Sequence, residues 1–357
     1  MNVMNKVFKQ GVGGLLLCGG ALLAQLAAHA ADAASGAAAN GVANNTTSGA
    51  GDAAGASTPV ALHPAETVAH ARQAGMLGVA WAGRRIVAVG AHGIVLLSDD
   101  MGKTWRQARA VPLDATLTAV SFVNDKEGWA VGHAGVVLHT RDGGEHWDLQ
   151  RSTPRQDRPL FAVHFFDAAH GVAVGLWSLV LTTSDGGRVW TARELPAPPG
   201  AKRADLNLFG LFAGPGAALY AAAEKGYVLH SADQGASWRY LATGYRGSFW
   251  TGSVLADGAL LVGGLRGALY RSGDAGQRWS RIGTGSTASI TGLARTGDDR
   301  GVLAVGQDGL MLRSEDDGAS FRTSYRHDRL PLTTVLPFAG FTAPLMSAFG
   351  PAPRDTQ

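Results

Sequence analysis

From residue 76 onward the chain repeats one order of apolar and polar positions. An apolar run of strand length, such as Leu117–Val123, gives way to a polar turn. A second short apolar run ends in glycine, and a third starts after Gly-x-x-Gly, as in AVGHAGVVLHT. Each unit then closes on Ser/Thr-x-Asp-x-Gly-x-x-Trp, and a more polar fourth segment follows. Six copies end at Trp105, Trp147, Trp190, Trp238, Trp279 and Phe321, at intervals of 42, 43, 48, 41 and 42 residues. A period of that length with four strand-sized runs per unit predicts the blades of a β-propeller.

The fold expected is therefore all-β, built of four-stranded antiparallel blades. Residues 59–357 hold about seven units of the mean length, so seven blades are expected, with six as the alternative. The seventh would be completed by pairing the segment near 59–75 with the segment near 325–349, which removes exposed sheet edges. Hairpin glycines are expected to supply positive φ. The repeated aspartate would accept hydrogen bonds from its own loop, and the tryptophan would pack between sheets.

The patterning upstream is different. Lys6 and Lys9, an apolar stretch to Ala28 and the Ala28-His29-Ala30 site predict a signal peptide over 1–30. Residues 31–58, rich in Ala, Gly and Asn, read as a disordered linker, which leaves 59–349 for the propeller and 350–357 as a tail. The single cysteine, Cys18, falls in the leader, so the mature chain offers no disulfide and no thiolate. The formal charge of +3 is too small for a nucleic-acid binder of this size, and no apolar run past residue 30 spans a bilayer.

The unit seen most fully in Glu127–Trp147 resembles the Asp box, or bacterial neuraminidase repeat. The stretch from about Met76 to Phe341 resembles the photosystem II stability/assembly factor family. That resemblance implies a non-catalytic, cofactor-free exported propeller that binds a protein partner, in a periplasm or, for a phototroph, the thylakoid lumen. The alternative is a carbohydrate-active enzyme or lectin of the sialidase-like class.

The candidate chemistry divides between the two ends of the blades. Asp100, Asp142, Asp185, Asp233, Asp274 and Asp316 are read as turn-forming, because one carboxylate per isolated turn falls short of calcium's 6–8 oxygens. The inner runs hold no carboxylate pair for glycoside hydrolysis, and no Phe/Tyr-Arg-Ile-Pro announces a sialidase. No His-x-x-x-His occurs, so no metal site is expected. Propeller topology puts the second-to-third hairpins and the inter-blade links on one face. Arg151, Arg155, Arg158, Arg203 and Arg246 from the links should meet Trp177, Lys225 and Arg266 from the hairpins there. The opposite face collects Asp99, Glu145, Glu315 and Asp317 with the box aspartates, so a dipolar monomer is expected. Its basic face would suit an acidic protein segment.

Overall fold

The computed structural model describes residues 63–156, 158–297, 300–338 and 343–353. The expected leader, the linker and residues 59–62 lie outside the described residues. The rest forms seven antiparallel sheets in a ring, with only three-residue 3-10 turns as helical structure. Among the described residues no helix is long and apolar enough to cross a membrane.

Six sheets have four strands in sequence order. Their innermost strands are Met76–Ala82, Leu117–Phe122, Leu160–Phe165, Leu208–Ala213, Phe249–Val254 and Ile290–Arg295. The seventh starts at Leu332–Val335, and each inner strand packs on the next around the ring. Second strands such as Gly128–Gly132 are wholly buried, which explains their unbroken apolar character. Each box tryptophan packs on the preceding blade. Trp147, for example, joins Val87 and Leu97 of the first blade.

Closure differs from expectation in its means. The seventh sheet has three strands, Leu332–Val335, Leu345–Ser347 and Gly350–Pro351, all from the C-terminal side. It thus reaches past the boundary expected at 349. Residues 63–75 add no strand to it. They run instead along the first blade, where the Ala65 amide donates to the Val111 carbonyl at 3.1 Å and the Val68 amide to Gln107 Oε1 at 3.1 Å. The chain ends still meet, by packing and single hydrogen bonds. Thr333 Oγ1 donates to the Met76 carbonyl at 2.6 Å, as Thr118 Oγ1 does to Leu160 and Thr291 Oγ1 to Leu332 at two other seams. The closing seam thus carries the same hydroxyl bridge as two of the internal seams.

The Gly-x-x-Gly hairpin also works differently from the reading above. Its first glycine is extended, with Gly90 at φ −168°, and is required because a Cβ there would lie 2.0 Å from the Gly75 carbonyl oxygen. Only the second glycine, Gly93 at φ +66°, uses the left-handed region. The non-glycine residue just before it is left-handed as well.

Candidate partner-binding face

The inter-blade links and the second-to-third hairpin tips come together on one face. The tips carry His92, Ala134, Trp177, Lys225, Arg266 and Asp308, one per blade, all left-handed with φ between 52° and 58°. The seventh tip is Ala348–Phe349, whose Ala348 amide donates to the Pro331 carbonyl as the other tips donate to their own links. Links and tips are tied by short bonds: Thr153 N to the Ala134 carbonyl, Ser178 N to Leu206 and Gly226 N to Gly247. Rigid blades therefore hold seven short, chemically different tips around the channel mouth.

The cations placed here by sequence fall into three groups. Arg151 is half-buried beneath the second tip, its Nη1 donating to the Gly135 carbonyl at 2.5 Å. Burial and the neighbouring Arg158 charge press its pKa down, so it supports the tip and is no free contact. Arg203 and Lys225 each approach Asp205 at 3.7 Å. Arg155, Arg246 and Arg266 are exposed and make no ion pair among the described residues. Arg158 sits between these groups. Its Nη2 donates to the Trp177 carbonyl at 3.2 Å, and among the described residues no carboxylate pairs with it and its Nε has no partner.

Two aromatics stand out of this face, Trp177 at 57 % and Phe349 at 63 % exposure. Beneath them each inner strand carries one β-bulge at its second residue: Leu77, Thr118, Phe161, Phe209, Trp250, Thr291 and Thr333. Three of these, in blades three to five, are aromatic, and the Phe161 and Phe209 rings stack at 5.6 Å. Sequence reasoning missed Phe349 and the bulges. A signal for the tip existed: Ser347-Ala348-Phe349-Gly350 keeps the last glycine of the hairpin motif.

The other face is built for folding. In every box the Ser or Thr hydroxyl two residues earlier donates to the aspartate, as in Thr140 to Asp142 at 2.9 Å. A backbone amide four residues on donates to the same carboxylate, as from His146 at 3.0 Å. Asp185, Asp233, Asp274 and Asp316 repeat the pattern. Hydrogen bonds from the Thr104 hydroxyl, the Arg278 guanidinium and the Ser320 hydroxyl hold Asp100, Asp274 and Asp316 at about 2. Trp105, Trp147, Trp238 and Trp279 donate Nε1 to the box glycine carbonyl.

Nor is this face the acidic counterpart expected. Glu145 is met by Arg106 at 2.5 Å, Arg85 at 3.2 Å and Arg109 at 3.7 Å, and Asp99 by Arg85 at 2.6 Å. Asp317 is buried and accepts the Ala256 and Asp257 amides. The expected dipole is therefore weakened on its acidic side, because arginines from adjacent strands sit among the carboxylates. Among the described residues no cluster of three or more His, Cys, Asp or Glu could hold a metal.

A family model described as photosynthesis system II assembly factor YCF48 matches residues 106–158 and 152–304. Among solved structures, YCF48 bound to D1 peptide is 19 % identical, with a TM-score of 0.65 over 82 % of this chain and 95 % of that one. YCF48 from Cyanidioschyzon merolae is 18 % identical, with a TM-score of 0.63 over 82 % and 97 %. Virginiamycin B lyase from Staphylococcus aureus is 12 % identical, with a TM-score of 0.64 over 82 % and 97 %. No curated protein sequence matches. A lyase on the same fold shows that the propeller alone does not decide between binding and catalysis.

Proposed function

The chain belongs to the photosystem II assembly factor YCF48 family, and from that premise we propose that it is an exported, non-catalytic propeller that binds an acidic segment of a membrane or envelope protein through its tip face. A YCF48 structure with a D1 peptide bound supports a peptide as the kind of ligand. The observation that carries the reading is charge without compensation. Arg151 and Arg158 stand side by side with no carboxylate between them among the described residues, and Arg155, Arg246 and Arg266 extend the patch unpaired. Forked guanidinium bonds to carboxylates are the contact such a patch makes best. The role is one of holding a partner during assembly of a larger complex, in a periplasm or an equivalent compartment.

The test is charge reversal. Peptides selected from a random displayed library on the immobilised full chain are expected to be acidic. Reversing Arg155, Arg246 and Arg266 together should weaken their binding and slow association, with the effect shrinking at high salt. Selection of neutral peptides, or a folded triple variant that binds as the parent does, would contradict the reading.

A further inference from the structure

The third blade departs from the other six at one point. Its tip places two consecutive non-glycine residues in the left-handed region, Trp177 at φ 52° and Ser178 at φ 55°. At the position of Ser178, blades one, two, four, five and six carry Gly93, Gly135, Gly226, Gly267 and Gly309. In three of these, Gly93, Gly226 and Gly267, a Cβ would strike a backbone carbonyl of the following link at 1.9 to 2.2 Å, and glycine is required. In the third blade the link that follows is longer, fourteen residues over 194–207 against six to nine elsewhere. Its Leu206 receives the serine: Ser178 N donates to the Leu206 carbonyl at 2.6 Å, and Leu206 N donates to Ser178 Oγ at 3.0 Å. The lengthened link thus fits this tip and no other.

What the tip presents is an indole. Trp177 is 57 % exposed, and its backbone is fixed from both sides, by Asn207 Oδ1 accepting from its amide at 3.1 Å and Arg158 donating to its carbonyl. An aromatic residue in the left-handed region costs stability that asparagine or glycine would not, and an exposed ring recovers little by packing. Neither folding nor solubility explains it. Exposed aromatics on a rigid support are the residues that anchor protein interfaces. Arg155, Arg158, Lys202 and Arg203 lie on the two links flanking the tip, so the chemistry beside the indole is cationic.

We infer that Trp177 is an apolar anchor that selects a partner segment carrying a bulky apolar side chain next to its acidic residues. The inference rests on the reading that the tip face binds protein, and it adds a component independent of salt. The cations attract the segment, and the indole takes the apolar side chain and fixes its register.

The two readings separate in one experiment, with peptides selected on the immobilised full chain. They are expected to join an aromatic or large aliphatic residue to the acidic ones. Trp177→Asn should keep or raise the melting temperature, since asparagine tolerates the left-handed region, and should weaken binding about tenfold or more, equally at low and high salt. Reversal of Arg155, Arg246 and Arg266 should weaken it at low salt only. Acidic peptides without an apolar preference, or a Trp177→Asn chain that binds as the parent does, overturn the anchor and leave the charged face standing. A Trp177→Asn chain that melts markedly lower overturns it too, because the tryptophan would then serve the fold. Failure to enrich any peptide, or indifference to charge reversal, overturns both.

Discussion

The two faces of the ring come from the same repeat, yet one is uniform and the other is not. At the box end, six aspartates receive nearly identical bonds, and their carboxylates are committed to their own turns. At the tip end the backbone is as regular, with six left-handed residues within a few degrees of each other, but the side chains are His, Ala, Trp, Lys, Arg and Asp. A position whose backbone is fixed and whose chemistry is free can carry recognition. A position whose side chain closes its own loop carries stability. The difference teaches where to look for function on a propeller whose fold is shared with a lyase.

Substitutions should separate the faces by size of effect. The largest loss is expected for Trp147→Ala. It removes a buried ring that packs on the first blade, at a cost of about 3–5 kcal/mol in thermal or denaturant unfolding. A comparable loss from an exposed tip residue such as Arg266 would erase the distinction.

Acid should weaken the wall between the faces before it touches the boxes. Burial lowers His164 on the third inner strand to about 4, and burial lowers His139 and His230 as well. A depressed folded pKa means that this stability is present above the ordinary 6.5 and is lost as pH falls toward 4, amounting to roughly 3 kcal/mol for His164. Box carboxylates held at about 2 lose their contribution only as pH falls from 3.8 through that value. Denaturant melts from pH 7 to 4 should show the decline, and His164→Gln should flatten it. A parent curve flat over that range would contradict the assignment.

A smaller loss is expected for Asp142→Ala, about 1–2 kcal/mol, because the amides of Glu145 and His146 lose their acceptor at a site open to water. Arg155→Glu, Arg246→Glu and Arg266→Glu should each change stability by less than ~0.5 kcal/mol while altering peptide binding. If the box change proves neutral for folding and alters binding instead, the roles of the two faces are reversed.

Much of this organisation was legible in the chain. The repeat gave the blade and its period, and Ser/Thr-x-Asp-x-Gly-x-x-Trp gave the turn, because both are local patterns: the turn's partners lie within four residues, and the blade's strands pair with their neighbours in the chain, as Leu117 does with Gly132. Topology then assigned Trp177, Lys225 and Arg266 to one face. What could not be read depended on distant neighbours. Arg151 is turned inward by Gly135, and Asp205 draws off Arg203 and Lys225. Glu145 gathers three arginines from neighbouring strands and links. The three-stranded last sheet escaped notice because Ala65 and Val68 bond to Val111 and Gln107 of the first blade, while Arg72 and Gln73 cross against Gly350 without adding a strand. Pro351 and Pro353 leave that edge poor in donors for a further strand.

The central claim, that the tip face and not the box face receives a protein segment, is tested most directly by amide hydrogen exchange on the full chain with and without a selected acidic peptide. The account predicts slowed exchange in the tips at 177, 225 and 266 and in the links at 151–158 and 201–207, with the box turns unchanged. Protection confined to the box turns around Asp100, Asp142 or Asp274, with the tips exchanging as before, would contradict it.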